Sequence, residues 1–242
     1  NWLVHRLCRQ HLTRALFEFA RGYLLDVGCG RKPYLGQQKA RSAVCFGIEY
    51  DRNRYRETPP DIWANSIDLP FRSGSFETVF CAQVLEHVAE PAEMVRELGR
   101  VLKPEGYLIL SAPHIWGIHE EPHDYFRFTS FGLKHLAEKA GLATVRVEAM
   151  AGYWVTAGAR FCYYLQQFEK IGLKPLLLPV YAVVQTAAWI LDRIHRVESD
   201  SWNFILVARR PNAEGTGTEA ASDTDQNERE QCLRLRDERT SG

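Results

Sequence analysis

A short apolar run that ends in a glycine turn constrains the fold of this chain more than any other feature. Tyr23 to Val27 form this run, and Gly28, Cys29 and Gly30 follow it at once. An apolar run of this length, bounded by turn residues, indicates a buried strand. Glycine allows the backbone to turn sharply and to approach a ligand with no Cβ in the way. The sequence therefore predicts a strand followed by a ligand-facing turn, as at the edges of open α/β sheets.

Strand and helix patterns alternate along the chain as far as about residue 150. Further strands are expected at 43–48, 61–67, 76–84, 107–112 and 142–147, a turn at 103–106, and helices within 2–20, from about Pro91, and from the capping residue Thr129 to Gly141. The predicted strands are apolar along their length, which is typical of strands buried on both faces. The pattern predicts an α/β fold with a mostly parallel central sheet and helices on both faces.

The composition divides the chain into five segments. They are an amphipathic helical segment at 1–22, an α/β core at 23–150, an apolar helical insertion at 151–200, a final strand of the core at 201–210, and a tail at 211–242. The tail is rich in small, polar and charged residues and has little apolar surface to bury, so we expect it to be disordered.

The charges and cysteines limit the partners and the compartment. Lys and Arg total 30, as do Asp and Glu, so no net field draws the molecule onto nucleic acid, and a small-molecule partner is expected instead. Six cysteines are scattered without a C-x-x-C pair: Cys8, Cys29, Cys45, Cys81, Cys162 and Cys232. This usage indicates a reducing compartment without structural zinc, and we expect a cytoplasmic protein.

A carboxylate stands where an adenosine ligand would need one. Glu49 ends the second predicted strand, 23 residues after Asp26, and can accept hydrogen bonds from both hydroxyls of a ribose. This spacing serves nicotinamide cofactors and S-adenosylmethionine alike. Asn65, after the third strand, can contact an adenine edge or form a turn. Pro33 occupies the place of a third glycine, which breaks the dinucleotide-binding fingerprint.

Four motifs, taken together and in order, identify a family. They are Leu24-Leu25-Asp26-Val27-Gly28-Cys29-Gly30, Asp68-Leu69-Pro70-Phe71, Gln83-Val84-Leu85-Glu86-His87-Val88 and Leu102-Lys103-Pro104-Glu105-Gly106. With this order and spacing, residues 23–147 resemble the class I methyltransferases, in particular the small-molecule methyltransferases related to the enzymes of ubiquinone and menaquinone biosynthesis. The resemblance implies a Rossmann-like methyltransferase fold, S-adenosylmethionine as cofactor, and transfer of a methyl group to a small-molecule, glycan or lipid-linked acceptor.

The resemblance also implies which residues hold the cofactor. The methionine end would lie against Asp26, Gly28, Cys29 and Gly30, the ribose against Glu49 and Tyr50, the adenine among Asn65, Ser66 and Ile67, and the methyl group beside Gln83 and Val84. His87 belongs to the same motif and is grouped with the cofactor-binding residues, and a catalytic role and a capping or core role are its alternatives.

Three residues depart from the pattern of the family. Lys32 stands where most relatives have a further glycine, Glu77 replaces an aspartate, and Asn65 lacks a charge. A methyltransferase-like binding protein with a degenerate site is therefore one alternative. A nicotinamide-dependent oxidoreductase or epimerase is another, although the chain lacks the Tyr-x-x-x-Lys pair of such enzymes.

The stretch 114–129, after the fifth predicted strand, is the candidate acceptor-binding loop. His114, His119 and His123 are candidate catalytic bases, which are needed if the acceptor carries a hydroxyl proton that must leave. Ordinary hydrogen bonding within the loop is the alternative. Tyr125 and Arg127 either orient an anionic acceptor or pin the loop to the following helix. No helical pair of metal-binding histidines is predicted here, so no metal ion is expected.

The longest uncharged stretch, 175–191, lies within the insertion. Its length is at the lower limit for crossing a bilayer, and Pro179 and Gln185 weaken that interpretation. Three interpretations of 171–196 stay open: a lid or dimer surface, contact with a membrane surface, and a membrane span. Membrane contact would favour a lipid-linked acceptor and a location peripheral to the membrane.

Overall fold

The computed structural model of this protein describes residues 1–34, 42–50 and 57–212. Its helices and strands are α1 (Trp2–Phe19), β1 (Gly22–Val27), β2 (Ser42–Glu49), β3 (Ile62–Trp63), β4 (Phe76–Ala82), α2 (Pro91–Val101), β5 (Leu102–Pro113), α3 (Ser130–Lys139), β6 (Ala143–Ala149), α4 (Tyr153–Gln166), α5 (Lys174–Ile194) and β7 (Asn203–Arg209). Short 3-10 helices span Leu85–His87, Gln167–Ile171 and Glu198–Asp200. From residue 213 onward the predicted disordered tail lies outside the described residues.

The described strands form one sheet in the order β3-β2-β1-β4-β5-β7-β6. The first five strands in this order are parallel to one another, and β7 runs antiparallel between β5 and β6. The predicted α/β fold with a mostly parallel sheet is confirmed. The chain leaves β1 in one direction toward β2 and returns to its other side at β4. In open α/β sheets, this reversal point is where ligands bind.

Alternate residues of the central strands face two separate cores. Leu24 and Phe80 pack with α1 and α4 on one face. Leu25 and Val79 pack with α2 and α3 on the other. Because side chains alternate across a strand, a strand that is apolar throughout buries both of its faces in this way. Helices on both faces are therefore confirmed as well.

Two predicted strands are shorter than expected, and one predicted turn falls inside a strand. The strand expected at 61–67 is reduced to β3, because Asn65 Oδ1 accepts a hydrogen bond from the Ile67 backbone at 3.2 Å and forms a turn there. The turn expected at 103–106 is present as an irregularity inside the bounds of β5: Glu105 has φ 65°, and the register with β4 shifts so that Phe76 pairs with Leu102 but Thr78 with Tyr107. The fourth strand ends at Ala82 rather than 84, since Gln83 has φ 58° and leaves the extended conformation.

The insertion between β6 and β7 contains α4 and α5, which pack against each other. Asp192 of α5 is buried and accepts hydrogen bonds from the backbone N–H groups of Gly152 (3.0 Å) and Val155 (3.5 Å) at the start of α4. Gln185, also buried, accepts one from the backbone N–H of Leu3 at 3.0 Å. One side of α5 is therefore anchored to both α4 and α1 through polar contacts.

The other side of α5 is apolar and exposed. Its most exposed apolar side chains are Leu176, Leu178, Val183 and Ile194. Among the described helices, only α5 is long and apolar enough to cross a membrane, with a mean hydropathy of 1.4 and 17% of that stretch buried. This is a property of length and composition, which core helices of soluble proteins share. The interpretations of 171–196 stay open.

Candidate active site

The loop after β1 approaches the segment that follows β4 so closely that only glycine fits at its start. Gly28 has φ 70°, and a Cβ there would lie 2.3 Å from Val84 Cγ2. The backbone N–H groups of Gly28 and Cys29 both donate to the carbonyl of Ile48 at 3.0 Å, which holds the turn against β2. Gly30 follows with φ 51°. The predicted glycine turn is therefore present at the carboxyl end of β1.

This turn borders a cavity of about 260 Å³ at the reversal point of the sheet. Five of the predicted cofactor residues line it: Asp26, Gly28, Cys29, Gly30 and Gln83. Tyr34 and Phe80 add aromatic surface, with their rings 5.4 Å apart in an edge-on contact. The cavity thus combines backbone groups, the Asp26 carboxylate, the Arg31 side chain and the Gln83 amide with apolar walls.

Asp26 is the buried charge of this cavity. Its side chain is 2% exposed, and Oδ2 has no hydrogen-bond partner in the part of the chain that the structure describes. Burial, and to a lesser extent the nearby Glu49, raise the pKa of Asp26 to about 7, while Lys32 opposes the shift. A buried carboxylate of this kind favours a ligand that brings a positive charge or hydrogen-bond donors.

Glu49 connects the end of β2 to the glycine turn. Its Oε2 accepts a hydrogen bond from the backbone N–H of Gly30 at 3.1 Å, and its Oε1 accepts one from that of Tyr50 at 2.9 Å. The Tyr50 side chain is 73% exposed. Glu49 therefore lies beside the turn, where the ribose hydroxyls of an adenosine are expected.

Lys32, one of the departures from the family pattern, has a structural role. It adopts φ 54°, and its Nζ forms an ion pair with Asp61 Oδ1 at 2.9 Å. Asp61 in turn accepts the backbone N–H of Gly47 at 2.6 Å. Lys32 thus holds the loop after β1 against β2. The departure from the family pattern at this position does not disrupt the cofactor cavity.

The predicted adenine residues follow β3 and do not line the cavity. Asn65 Oδ1 accepts the hydrogen bond of the turn described above, which agrees with the turn-forming role that was its alternative interpretation. Ile67 is half-buried and packs against the core. The neighbouring segments 35–41 and 51–56 lie outside the described residues. A contact of Asn65, Ser66 or Ile67 with adenine stays a prediction.

Gln83 is held rigidly by two residues that the sequence reasoning missed. Its Nε2 donates to Ser111 Oγ at 3.0 Å, and its Oε1 accepts from Asn203 Nδ2 at 2.8 Å. Both partners are fully buried, at the end of β5 and the start of β7. Polar residues in otherwise apolar strands were the available signal. Ser111 and Asn203 therefore fix the side chain of Gln83 at the cavity.

A second cluster lies at the same edge of the sheet and consists of Glu86, His87 and His119. Glu86 Oε1 is 3.8 Å from His87 Nε2 and 3.9 Å from His119 Nε2. Glu86 is fully buried, neither of its carboxylate oxygens has a hydrogen-bond partner among the described residues, and burial raises its pKa to about 8. His87 was expected beside the cofactor, but the structure groups it with these residues instead of the cavity lining, because Nδ1 bonds to the His123 carbonyl at 2.6 Å.

The three histidines that were candidate bases occupy different surroundings. Only His119 reaches Glu86. His114 stacks on Phe204 with ring centroids 5.4 Å apart, and His123 Nδ1 lies 3.0 Å from the Tyr125 hydroxyl. His119 and His123 are four residues apart, but the segment between them is not helical, so their rings do not share a face.

Arg127 was a candidate for binding an anionic acceptor, but in the structure its guanidinium forms hydrogen bonds within the loop. Its five N–H donors are directed at both carboxylate oxygens of Asp124 (2.6 Å) and at the carbonyls of Trp116 (3.2 Å), Gly117 (2.6 Å) and Phe126 (2.7 Å). The hydrogen bonds from Arg127 lower the pKa of Asp124 to about 2. No donor is left for an acceptor, so Arg127 pins the loop, which was the alternative.

S-adenosylmethionine, the cofactor that the resemblance implies, fits the first of these sites. Its amino group and sulfonium are positively charged, and Asp26, whose Oδ2 has no hydrogen-bond partner among the described residues, lines the cavity. Gly28 leaves the space that a Cβ would fill, and Glu49 lies beside the turn. The residues present therefore match the cofactor in charge and in shape.

Comparison with known proteins supports this assignment. A methyltransferase-domain family matches residues 25–110. The chain is 30% identical over 208 residues to a ubiquinone biosynthesis O-methyltransferase of Ralstonia nicotianae, covering 78% of this chain and 77% of the relative. It is 33% identical over 96 residues to an uncharacterized protein of Methanocaldococcus jannaschii, and spans 42% of that protein's length.

Solved structures agree with the sequence comparisons on the fold. A putative methyltransferase from Bacillus halodurans superposes with a TM-score of 0.56 at 15% identity, covering 83% of this chain and 99% of the other. The strand order, the glycine turn and the matched relatives lead to one conclusion. The chain belongs to the class I S-adenosylmethionine-dependent methyltransferases.

Proposed function

We propose that this protein methylates a hydroxyl group of an apolar small-molecule or lipid-linked acceptor. The observation that carries the proposal is the cluster of Glu86, His87 and His119 at the sheet edge that also holds the cofactor cavity. A hydroxyl must lose its proton when it is methylated, and a carboxylate with two imidazoles can accept that proton. The Ralstonia relative is named as an O-methyltransferase, which agrees with this choice.

In this reaction, the protein mainly has to position the cofactor and the acceptor. Bound S-adenosylmethionine supplies a methyl group already activated by its sulfonium. Asp26 would hold the methionine end of the cofactor and Glu49 its ribose, and Gln83, held by its two partners, would lie on the side of the methyl group. The loop pinned by Arg127 covers the acceptor side and excludes water, and His119 within it receives the acceptor's proton.

The apolar face of α5 supports an acceptor with an apolar portion. Beside this helix, a cavity of about 420 Å³ between α1, α4 and α5 is bordered by Arg6, Arg193 and Arg196. Guanidinium groups next to exposed apolar side chains suit the headgroup region of an anionic membrane. We therefore propose peripheral contact with a membrane surface through 171–196. A homodimer through the same face, and a soluble small-molecule or glycan acceptor, are the competing outcomes.

An acceptor panel tests the proposed function. The full chain is incubated with S-adenosylmethionine carrying a deuterated methyl group and with a catechol bearing a prenyl chain, the same catechol without the chain, a hydroxylated sugar and an aromatic amine. We expect an O-linked labelled methyl group, with the prenylated catechol as the best acceptor, in mass spectrometry of the products. His119→Gln should lower turnover by about two to four orders of magnitude, and His114→Gln, the matched control in the same loop, should leave it near the wild-type value. Transfer to the amine alone would contradict the proposal.

A further inference from the structure

Lys32 ends the turn beside the cofactor cavity in a backbone conformation that is unusual for a lysine. Its φ is 54°, in the left-handed region that costs free energy for a residue with a Cβ. Its backbone N–H donates to the Cys29 carbonyl at 2.8 Å, which closes the turn. Glycine would adopt this conformation without that cost. A lysine held in it at a ligand site indicates that the side chain has a role there.

The Lys32 side chain lies over Gly47 of β2, the residue that pairs with Asp26 of β1. A Cβ built on Gly47 would be 3.1 Å from Lys32 Cε. Residues that pair in neighbouring strands point to the same face of a sheet, so this Cβ marks the face that holds the Asp26 carboxylate. The lysine side chain therefore crosses the sheet beside Asp26, in the space that the missing side chain of Gly47 leaves.

Asp61, the residue before β3, fixes the end of the lysine side chain. Its Oδ1 lies 2.9 Å from Lys32 Nζ, and its Oδ2 accepts the Gly47 N–H at 2.6 Å. The Asp61 backbone N–H donates to the Gly47 carbonyl at 2.9 Å. The side chains of Lys32 and Asp61 are 22% and 42% exposed, and ion pairs so accessible to solvent contribute little to stability. The pair therefore determines where the ammonium lies more than how stable the fold is.

The charge of Lys32 acts on Asp26. Burial, followed by the nearby Glu49, raises the pKa of Asp26 to about 7, and Lys32 opposes this rise. Arg31 also lines the cavity, but a guanidinium stays charged throughout the range in which Asp26 titrates. The other titratable groups around Asp26 are thiols and a phenol, which burial keeps neutral near pH 7 because it raises the pKa of each. They are Cys29, Cys45, Cys81 and Tyr34. Among the described residues, Lys32 is therefore the group that favours the charged form of Asp26.

We propose that Lys32 is a positioning residue for the cofactor: its ammonium, held beside Asp26 by Asp61, keeps the Asp26 carboxylate charged for the amino group of the methionine end. A charged carboxylate binds an ammonium more strongly than a protonated one does, because both charges then assist the hydrogen bond. Lys32 acts through Asp26 and needs no contact with the cofactor itself. This role concerns the cofactor and does not depend on the acceptor proposed above.

Binding of adenosylhomocysteine at two pH values tests the proposal. This ligand carries one ammonium and one carboxylate, so the charge of Lys32 has little net effect on it directly and acts through Asp26. Calorimetric titration of the full chain at pH 6.0 and pH 8.5 compares the wild type with Lys32→Met, which keeps the apolar stem and loses the charge. Because this loss raises the pKa of Asp26, we expect binding to weaken by about three- to tenfold at pH 6.0. At pH 8.5, where Asp26 is mostly charged in both proteins, the loss should be less than about twofold.

Three further variants complete the test. Lys32→Arg keeps the charge and should bind within about twofold of the wild type at both pH values. Lys32→Gly loses the charge but suits the backbone conformation at this position, so it should fold at least as well and show the same loss at pH 6.0 as Lys32→Met. Lys103→Met is the matched control. Lys103 forms an ion pair with Glu77 at the start of β5, away from the cavity, so this variant should bind as the wild type does at both pH values.

The pH dependence distinguishes a positioning role from a merely structural one. If Lys32→Met and Lys32→Gly lose affinity equally at both pH values, or at neither, Lys32 does not control the charge of Asp26 and the proposal is overturned. The same conclusion follows if Lys103→Met reproduces the loss at pH 6.0. Circular dichroism and thermal unfolding establish that each variant is folded at both pH values. A failure to find an O-methylated product would contradict the proposed function but would leave this result standing, because no acceptor is present in the titration.

Discussion

Glu49 accepts the backbone N–H of Gly30 at 3.1 Å, so the end of β2 and the turn after β1 form one continuous surface. The two strands are neighbours in the sheet, with Asp26 paired to Gly47 in register. A ligand bound along this edge would therefore contact both the turn after β1 and the Glu49 carboxylate, which that turn holds in place. This relationship makes the affinity for an adenosine ligand depend on Glu49.

Replacing Glu49 with Ala should weaken binding of adenosylhomocysteine roughly 30-fold, or about 2 kcal/mol, through the loss of charge-assisted hydrogen bonds to the ribose. Quenching of tryptophan fluorescence on titration measures this affinity. Glu49→Gln keeps one acceptor and should fall between the two proteins. If Glu49→Ala binds as tightly as the wild type, the ribose lies elsewhere.

The stability of the free protein should decrease as the pH rises, because the native state holds a proton on Asp26 that the unfolded chain releases. The pKa of Asp26 is about 7 in the fold against 3.8 in its absence, so this contribution declines between those values and is constant above pH 7. Asp26→Asn should remove about 2–3 kcal/mol of the decline in the free energy of unfolding between pH 5 and pH 8. Urea denaturation at pH 5, 6, 7 and 8 measures it, and parallel curves for both proteins would contradict the buried charge.

Two glycine substitutions separate backbone strain from steric conflict. Gly141 has φ 75° with nothing within 4 Å of a built Cβ, so Gly141→Ala should cost about 1 kcal/mol of stability from its backbone conformation alone. Gly28→Ala adds a conflict with Val84 at 2.3 Å and should cost about 3 kcal/mol or more. Adding Val84→Ala to the Gly28 variant should recover the steric part. Equal melting temperatures for the two single variants would show that the loop after β1 can move away from Val84 at little cost, which would contradict the predicted steric conflict.

Contact with a membrane surface is testable on α5. Leu176→Glu and Val183→Glu should lower the fraction of protein that sediments with vesicles containing anionic phospholipid by roughly fivefold or more, because each adds a charge to an apolar face. Phe131→Glu, an equally exposed apolar position on α3, should leave sedimentation unchanged. Equal sedimentation of all three variants would exclude this face, and a shift to a smaller species in the α5 variants would indicate a dimer.

The parts of the fold that the sequence predicted are those that depend on local patterns. β1, β4 and β5 each contain a run of buried apolar residues, and Thr129 caps α3 through a hydrogen bond from the Gly132 N–H at 3.0 Å. β3 was overestimated because the local turn of Asn65 competes with strand pairing. The local sequence pattern does not indicate whether the Asn65 turn or the strand pairing is more stable.

The candidate site divides in the same way. Residues at the carboxyl ends of strands, such as Asp26 and Glu49, could be placed from sequence because parallel strands end at one edge. The pairing of Gln83 with Asn203 joins residues 120 positions apart, and the approach of His119 to Glu86 depends on the path of a loop. Such contacts have no periodic signal, and only the folded arrangement reveals them.

Parallel calorimetric titrations of the full chain test whether the cavity beside Gly28 binds S-adenosylmethionine. We predict that adenosylhomocysteine binds with one site per chain and that NAD gives no binding heat at the same concentrations. Saturable binding of NAD, with no heat from adenosylhomocysteine, would contradict the account.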